Sequence, residues 1–446
     1  MRSYVPNTEK ERREMLADIG MSSMDDLFKD IPADLKLDRP LDLPEPLSEM
    51  ELRDLIRGFV YMNEEGGPLF RGAGAYRHYI PSVVPQLVMR SEFYTAYTPY
   101  QAEMSQGMLQ SLFEYQTVIC RLTGLDAANA SVYDGATAAA EAMLMLRDNK
   151  RKKKILYSAA LNPDVKTVMH TYGHCAGLEL VEIPMTDKGV SDIDAIRANM
   201  EGAAGYIGAN PNYYGNIEPM AEIAEAVHAA NGLLVAYVNP ITLGVMKRPA
   251  DYGADIAIGD GQPLGIPLSF GGPYVGFMAA TKKLMRNLPG RIAGQTTDAE
   301  GNRVFVLTLQ AREQHIRREM ASSNICSNQM LCAIMASMYC CVMGPAGMKE
   351  VGEQNVAKAH LLAKKLCAID GVKLRWPETP FFNEFVIDVD NAEAIDKALA
   401  EYSVTGGLVL PDGGMLWCAT EMNCADEFDF VCDLIRDAMD PKGGEE

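Results

Sequence analysis

Residues 233–281 read LLVAYVNPITLGVMKRPADYGADIAIGDGQPLGIPLSFGGPYVGFMAAT. Three short apolar runs stand out in it: LLVAYV (233–238), DIAIG (255–259) and VGFMAA (275–280). The first two are closed by turn formers, Asn239-Pro240 and Asp260-Gly261. Runs of five or six β-branched and small residues, bounded in this way, read as strands covered on both faces, the pattern of a parallel sheet clad by helices. Upstream, ILYS (155–158), LELVEI (178–183) and GYIGA (205–209) have the same character. Helical stretches separate most of these runs; two are placed at 105–123, ending at Gly124, and at 136–147. Strands joined through helices of ten or more residues predict right-handed βαβ units, and so an α/β fold with a doubly wound, mainly parallel sheet.

The ends of the chain differ from this middle. A helix near 327–344 leads into a long one at 350–368, then strands at FFNEFVIDV (381–389) and GMLWCAT (414–420), which together predict a smaller α+β domain. At the front, Thr8 and Glu11 form a capping box, and Gly20 stands where the short helix should stop. Residues 30–47, DIPADLKLDRPLDLPEPL, hold four prolines, each of which removes a donor and disfavours helix before it, so this segment is expected to run extended. The division expected is an N-terminal arm and extended segment at 1–90, a large α/β domain at 91–335 and a small C-terminal domain at 336–446. A long arm that buries little of itself is suited to wrap its own body or a neighbour.

Composition limits function. The chain has 446 residues, 48% of them hydrophobic, which suffices for a well-buried core. A net charge of −19 disfavours nucleic acid and anionic membrane as partners, because both would be repelled. No apolar run is read as reaching the roughly 18–20 residues that cross a bilayer, and the charged start MRSYVPNTEKERREML does not read as a signal peptide. A soluble, cytoplasmic protein is expected. The ten cysteines have no C-x-x-C spacing, and His170 and His174, four apart, lack a third ligand, so neither a metal site nor a disulfide framework is expected. No G-x-G-x-x-G or G-x-x-x-x-G-K-[ST] spacing supports a dinucleotide or triphosphate site.

Three local sequences carry a resemblance: TAYTPYQAEMSQG (95–107), NASVYDGATAAAEAM (129–143) and LTLQAREQHIRREMASSNICSNQ (307–329). With the VPNTEKERREML arm and the PFFNEF strand, they make the chain similar over nearly its whole length to the P-protein of the glycine cleavage system. That family is built on the fold-type I pyridoxal-phosphate scaffold, and the likeness is to subunit 1, the alpha chain found where the P-protein is split in two. The resemblance implies that pyridoxal phosphate is bound covalently by a lysine-bearing subunit 2. It also implies a heterotetramer of two alpha and two beta chains, glycine as substrate, and a lipoylated H-protein that takes the aminomethyl group.

The residues agree with a chain that lacks its own covalent site. Between Arg248 and Lys282 there is neither lysine nor arginine, and the place after strand DIAIG where the imine-forming residue is sought reads GDGQPLG, with Asp260 and Gln262 as its polar side chains. After LLVAYV, where a carboxylate would protonate the pyridine nitrogen, stands Asn239, which carries no charge. Gly135, Ala136 and Thr137 open a helix in the manner of a phosphate cradle, although a small-residue start packed on the sheet explains them equally. The alternative is an independent fold-type I enzyme using Lys282 or Lys283, or a purely structural subunit. Tyr97, Tyr100, Gln101 and Glu103 are set around Pro99 just before a helix; the resemblance implies that this segment projects toward the cofactor pocket at the boundary between chains, which makes them the candidates to line the partner's site, with Glu103 orienting the glycine ammonium, while a packed loop with a helix cap accounts for the same residues. The basic run 150–154, KRKKK, is either a solvated loop or a docking patch for an acidic partner such as H-protein.

Overall fold

A computed structural model describes residues 6–63, 66–325 and 329–439, and the chain divides into two compact units, 1–65 and 66–446. The first unit holds helices Glu9–Asp18 and Glu49–Tyr61, each opened by a capping box, Thr8 with Glu11 and Ser48 with Glu51. The reciprocal bonds satisfy orphan backbone donors at each start. Gly20 takes the left-handed conformation just past the first helix.

The body is organised on a seven-stranded sheet. Its strands are β1 (Ala127–Ala128), β2 (Lys154–Ser158), β3 (Glu179–Ile183), β4 (Ala203–Ala209), β5 (Leu233–Tyr237), β6 (Ile256–Asp260) and β7 (Gly276–Ala280), in the order β1-β7-β6-β5-β4-β2-β3. The strands β3, β2, β4, β5 and β6 run parallel, and β7 pairs antiparallel to both β6 and β1. All the strands expected from the apolar runs are present within a residue or two. Helices Gln106–Thr123 and Gly135–Lys150 lie on opposite faces: Tyr115 and Ile119 pack in one apolar cluster with Leu234 and Ala257, while Ala139 and Met143 pack in another with Val235 and Ile258. The alternation of side chains along β5 and β6 thus feeds both layers of core.

The body also departs from the sequence expectation. A hairpin of β8 (Ile292–Thr297) and β9 (Arg303–Thr308) stands where the sequence marked no strands. And the two helices expected at 327–344 and 350–368 form one kinked helix, Met330–Leu366, bent at Gly344 (φ 60°) ahead of Pro345, because proline removes the hydrogen bond that would keep the axis straight. This helix also corrects the reading of apolar runs. Residues 330–348 carry no charge, and the helix is long and apolar enough to cross a membrane by composition; here Ala333, Ala336 and Tyr339 pack against the sheet as core side chains do.

The C-terminal part carries a four-stranded antiparallel sheet, β10 (Lys373–Leu374), β11 (Glu384–Asp388), β12 (Leu408–Val409) and β13 (Met415–Cys418), ordered β10-β11-β13-β12, with helices Ala392–Glu401 and Ala425–Met439 on it. Residues 66–90, grouped with the arm by sequence, belong to the body: Phe70 is fully buried against Trp417 and Phe428, and its N–H donates to Thr405.

Candidate functional site

The carboxyl ends of β4, β5 and β6 open on a small cavity lined by Tyr76, Asn162, Asn212, Tyr213, Tyr237 and Asp260, among others. In open α/β sheets this edge is where ligands bind. Several of the polar atoms here are already engaged. One oxygen of Asp260 accepts from the backbone N–H of Gly135 at 3.0 Å, the other from Gln262 N–H at 2.8 Å. Asp134 accepts from Thr137 N–H at 2.7 Å, capping the same helix. The Tyr237 hydroxyl stands so close to Gly135 that an added Cβ would overlap it. Burial raises the Asp260 carboxyl to about 7, against the hydrogen bonds that favour its charged form.

Gln262 is 1% exposed and works as a clip. Its Oε1 accepts from Tyr76 N–H at 2.9 Å, and its Nε2 donates to the carbonyls of Tyr76 at 2.9 Å and Ile266 at 2.8 Å. The same Tyr76 donates its hydroxyl to Glu384 Oε2 at 2.7 Å, while Glu384 Oε1 accepts from Ala73 N–H at 2.6 Å. Burial raises the Glu384 carboxyl to about 7. Asn239 also borders the cavity, with its side-chain oxygen accepting from Ile241 N–H at 3.0 Å to cap the turn at Pro240–Gly244. Lys282 and Lys283 follow β7, which runs antiparallel to its neighbours, so they emerge at the edge of the sheet opposite to the cavity, and both are exposed.

The second group of sequence candidates forms a loop before the helix Gln106–Thr123. Pro99 is buried, whereas Tyr97 is 77% exposed, Tyr100 57%, and Gln101 and Glu103 are exposed too. Ala96 and Ala102 face the apolar cluster of Leu109, Leu112 and Phe305. Two glutamines tie the following helix to the hairpin: Gln106 exchanges hydrogen bonds with both backbone groups of Phe305 (2.9 and 2.8 Å), and Gln116 does the same with Ala293 (2.9 and 2.8 Å). The loop is therefore rigidly backed and presents its polar and aromatic side chains outward.

Residues 2–429 match the family described as glycine cleavage system P-protein. The chain belongs to this family. A probable glycine dehydrogenase (decarboxylating) subunit 1 from Moorella thermoacetica is 49% identical, over 97% of this chain and 99% of that one. The crystal structure of a glycine decarboxylase (P-protein) of the glycine cleavage system, in inhibitor-bound form, superposes with a TM-score of 0.89 at 42% identity, covering 98% of this chain and all of the other. A sphingosine-1-phosphate lyase from Burkholderia pseudomallei shares the fold at 13% identity, with a TM-score of 0.67 over 92% of this chain and 94% of its own. The scaffold is that of the fold-type I pyridoxal-phosphate enzymes.

Within this P-protein family member, the cavity at the sheet edge does not fit pyridoxal phosphate. Among the described residues, no lysine, arginine or histidine lines it. The N–H groups of Gly135 and Thr137, which would receive the phosphate, are bonded to Asp260 and Asp134, so a phosphate would meet carboxylates in place of free donors. The sequence candidates Gly135, Ala136, Thr137, Asn239 and Gln262 thus gather about one cavity edge, where Gly135, Thr137, Asn239 and Gln262 have internal hydrogen-bonding roles.

Glu384, Tyr76 and Arg291 escaped the sequence reading. For Glu384 a signal was available, since an acidic residue inside the apolar strand PFFNEFVID has to be paired or neutral when buried. In the basic run, Lys152 and Lys154 donate to the carbonyls of Ala203 and Glu201, which ties part of it to its own domain. Of the segment 307–329, Cys326, Ser327 and Asn328 lie outside the described residues.

Proposed function

We propose that this chain is the lysine-less half of a two-chain glycine dehydrogenase (decarboxylating) of the glycine cleavage system. The observation that carries the reading is the occupied sheet-edge site: Gln262 and Asp260 are hydrogen-bonded into the fold where a fold-type I enzyme places its imine lysine and phosphate cradle. The subunit 1 names of relatives matched over nearly the full length support the two-chain arrangement. In this reading the cofactor is bound covalently by the lysine-bearing subunit 2, in a heterotetramer of two alpha and two beta chains in the cytoplasm, and the lipoyl group of H-protein receives the aminomethyl group. The chemistry that pyridoxal phosphate supplies there is stabilisation of the charge left when glycine loses carbon dioxide.

This chain's contribution is positional. The backed loop at 95–103 presents Tyr97, Tyr100, Gln101 and Glu103 to the partner's pocket, where the rings exclude water and the Glu103 carboxylate orients the glycine ammonium.

The test is reconstitution. Alone, the purified chain should bring down no cofactor adduct after borohydride reduction and show no glycine–bicarbonate exchange; with subunit 2 it should elute as a larger species and the exchange should appear. An adduct mapped to any lysine of this chain, or two separate elution peaks at micromolar concentrations, would overturn the reading.

A further inference from the structure

Arg291 is 3% exposed and meets one exposed side chain in two ways. Its Nη2 donates to the Tyr100 hydroxyl at 2.8 Å, and its Cζ stands 4.8 Å from the centroid of the Tyr100 ring. A cation over the ring face fixes the tilt of the ring, and the bond to the hydroxyl fixes its reach. The loop's most forward residues are thus not equally free. Tyr97 has no comparable grip among the described contacts, while Tyr100 is held from behind by a guanidinium.

The arginine is itself fixed before it reaches the tyrosine. Its carbonyl accepts from Ala130 N–H at 2.8 Å, and the carbonyl of Pro289, two residues earlier, accepts from the Asn129 side chain at 3.0 Å. Two residues later, Gln116 holds both backbone groups of Ala293. The support runs from the sheet edge at β1 and from the helix Gln106–Thr123 into one arginine, and from it into one phenol.

We infer that Arg291 is a positioning residue for the glycine reaction, acting through Tyr100 by setting the height and tilt of that ring on the face that completes the partner's site. The inference rests on the reading of the 95–103 loop proposed above. Lysine cannot replace the arginine, since an ammonium has no plane to stack and is a strongly hydrated point charge.

The test uses the reconstituted two-chain complex, with glycine–bicarbonate exchange and melting temperature measured for Arg291→Lys, Tyr100→Phe, Tyr100→Ala and the double variant Arg291→Lys/Tyr100→Phe. Arg291→Lys and Tyr100→Phe should each lower kcat about tenfold, with KM for glycine moving by less than about threefold. The double variant should be no slower than the worse single, because both changes disturb the one Arg291–Tyr100 pair. A structural role alone would lower the melting temperature and leave kcat per assembled complex unchanged, which overturns the inference. So would single effects that multiply in the double variant. Full activity in Tyr100→Ala removes the loop reading and this inference together, whereas an impaired Tyr100→Ala beside a fully active Arg291→Lys removes only the inference. If Arg291→Lys does not assemble, Tyr100→Phe decides: it keeps the ring under the guanidinium and loses only the hydroxyl, so an unchanged kcat overturns the inference.

Discussion

The Asp260 carboxylate accepts from the backbone N–H of Gly135 at 3.0 Å, across 125 residues of sequence. A helix start of small residues attracts an anion through its free N–H groups and the positive end of its dipole. In this chain the anion is built in at the end of β6. The pocket therefore keeps the shape of its fold type while its electrostatic demand is met internally.

Putting a lysine back at the end of β6 should not restore a cofactor site. In Gln262→Lys the ammonium cannot accept from Tyr76 N–H, and Asp260 still blocks the helix start. Borohydride reduction with pyridoxal phosphate, followed by peptide mass spectrometry, is expected to find no adduct at position 262; a mapped adduct there would refute the claim that the site is closed.

Removing the clip should cost stability. Gln262→Ala leaves the N–H and carbonyl of Tyr76 and the carbonyl of Ile266 without the partner they have now, around a side chain that is 1% exposed. An orphaned buried group costs about 1–3 kcal/mol, so the unfolding free energy should fall by about 3 kcal/mol or more. Urea denaturation measures this, and a midpoint equal to that of the parent chain would show that the three bonds carry no stability.

Much of this arrangement could be read from sequence, and the part that could not has a common cause. The strands β2 and β4 to β7 announced themselves because each is buried along nearly its whole length and so is mostly apolar, and the edge strand β3 through its apolar Leu180, Val181 and Ile183. The hairpin β8–β9 did not, since Gln295, Thr296 and Thr297 are exposed and give its first strand a polar end. Asp260 and Gln262 were visible as the polar side chains after β6, but their partners Gly135 and Tyr76 lie 125 and 186 residues away, and no local pattern joins them. Arg291 has no signature of its own: its role exists only through Tyr100, 191 residues earlier.

Stability should vary with pH through Glu384. Its carboxyl is raised from an ordinary 4.5 to about 7 by burial, so between those values the folded chain holds a proton that the unfolded chain has released. The stabilisation is fully present below about pH 4.5 and is lost as the pH rises through 7. Glu384→Gln mimics the protonated form and cannot ionise, so its melting temperature relative to the parent chain should climb between pH 5 and pH 8. Parallel melting curves across that range would show that Glu384 does not titrate there.

The remaining prediction concerns the other outward residues of the loop. Tyr97 and Glu103 touch little of their own chain, so a change in either leaves the fold nearly as it was, whereas Ala102 faces the cluster around Leu109 and Phe305. In the reconstituted complex, Tyr97→Phe and Glu103→Gln are expected to lower glycine–bicarbonate exchange about tenfold or more, which corresponds to roughly 1.4 kcal/mol of transition-state stabilisation, with the melting temperature unchanged. Ala102→Leu should do the reverse, lowering the melting temperature by overpacking while the assembled fraction keeps its turnover. The contrast separates a surface that works at the partner's site from one that only packs. If Tyr97→Phe and Glu103→Gln keep full exchange activity, and the Tyr100 variants do so too, the loop has no part in the reaction, and the chain serves its partner as scaffold.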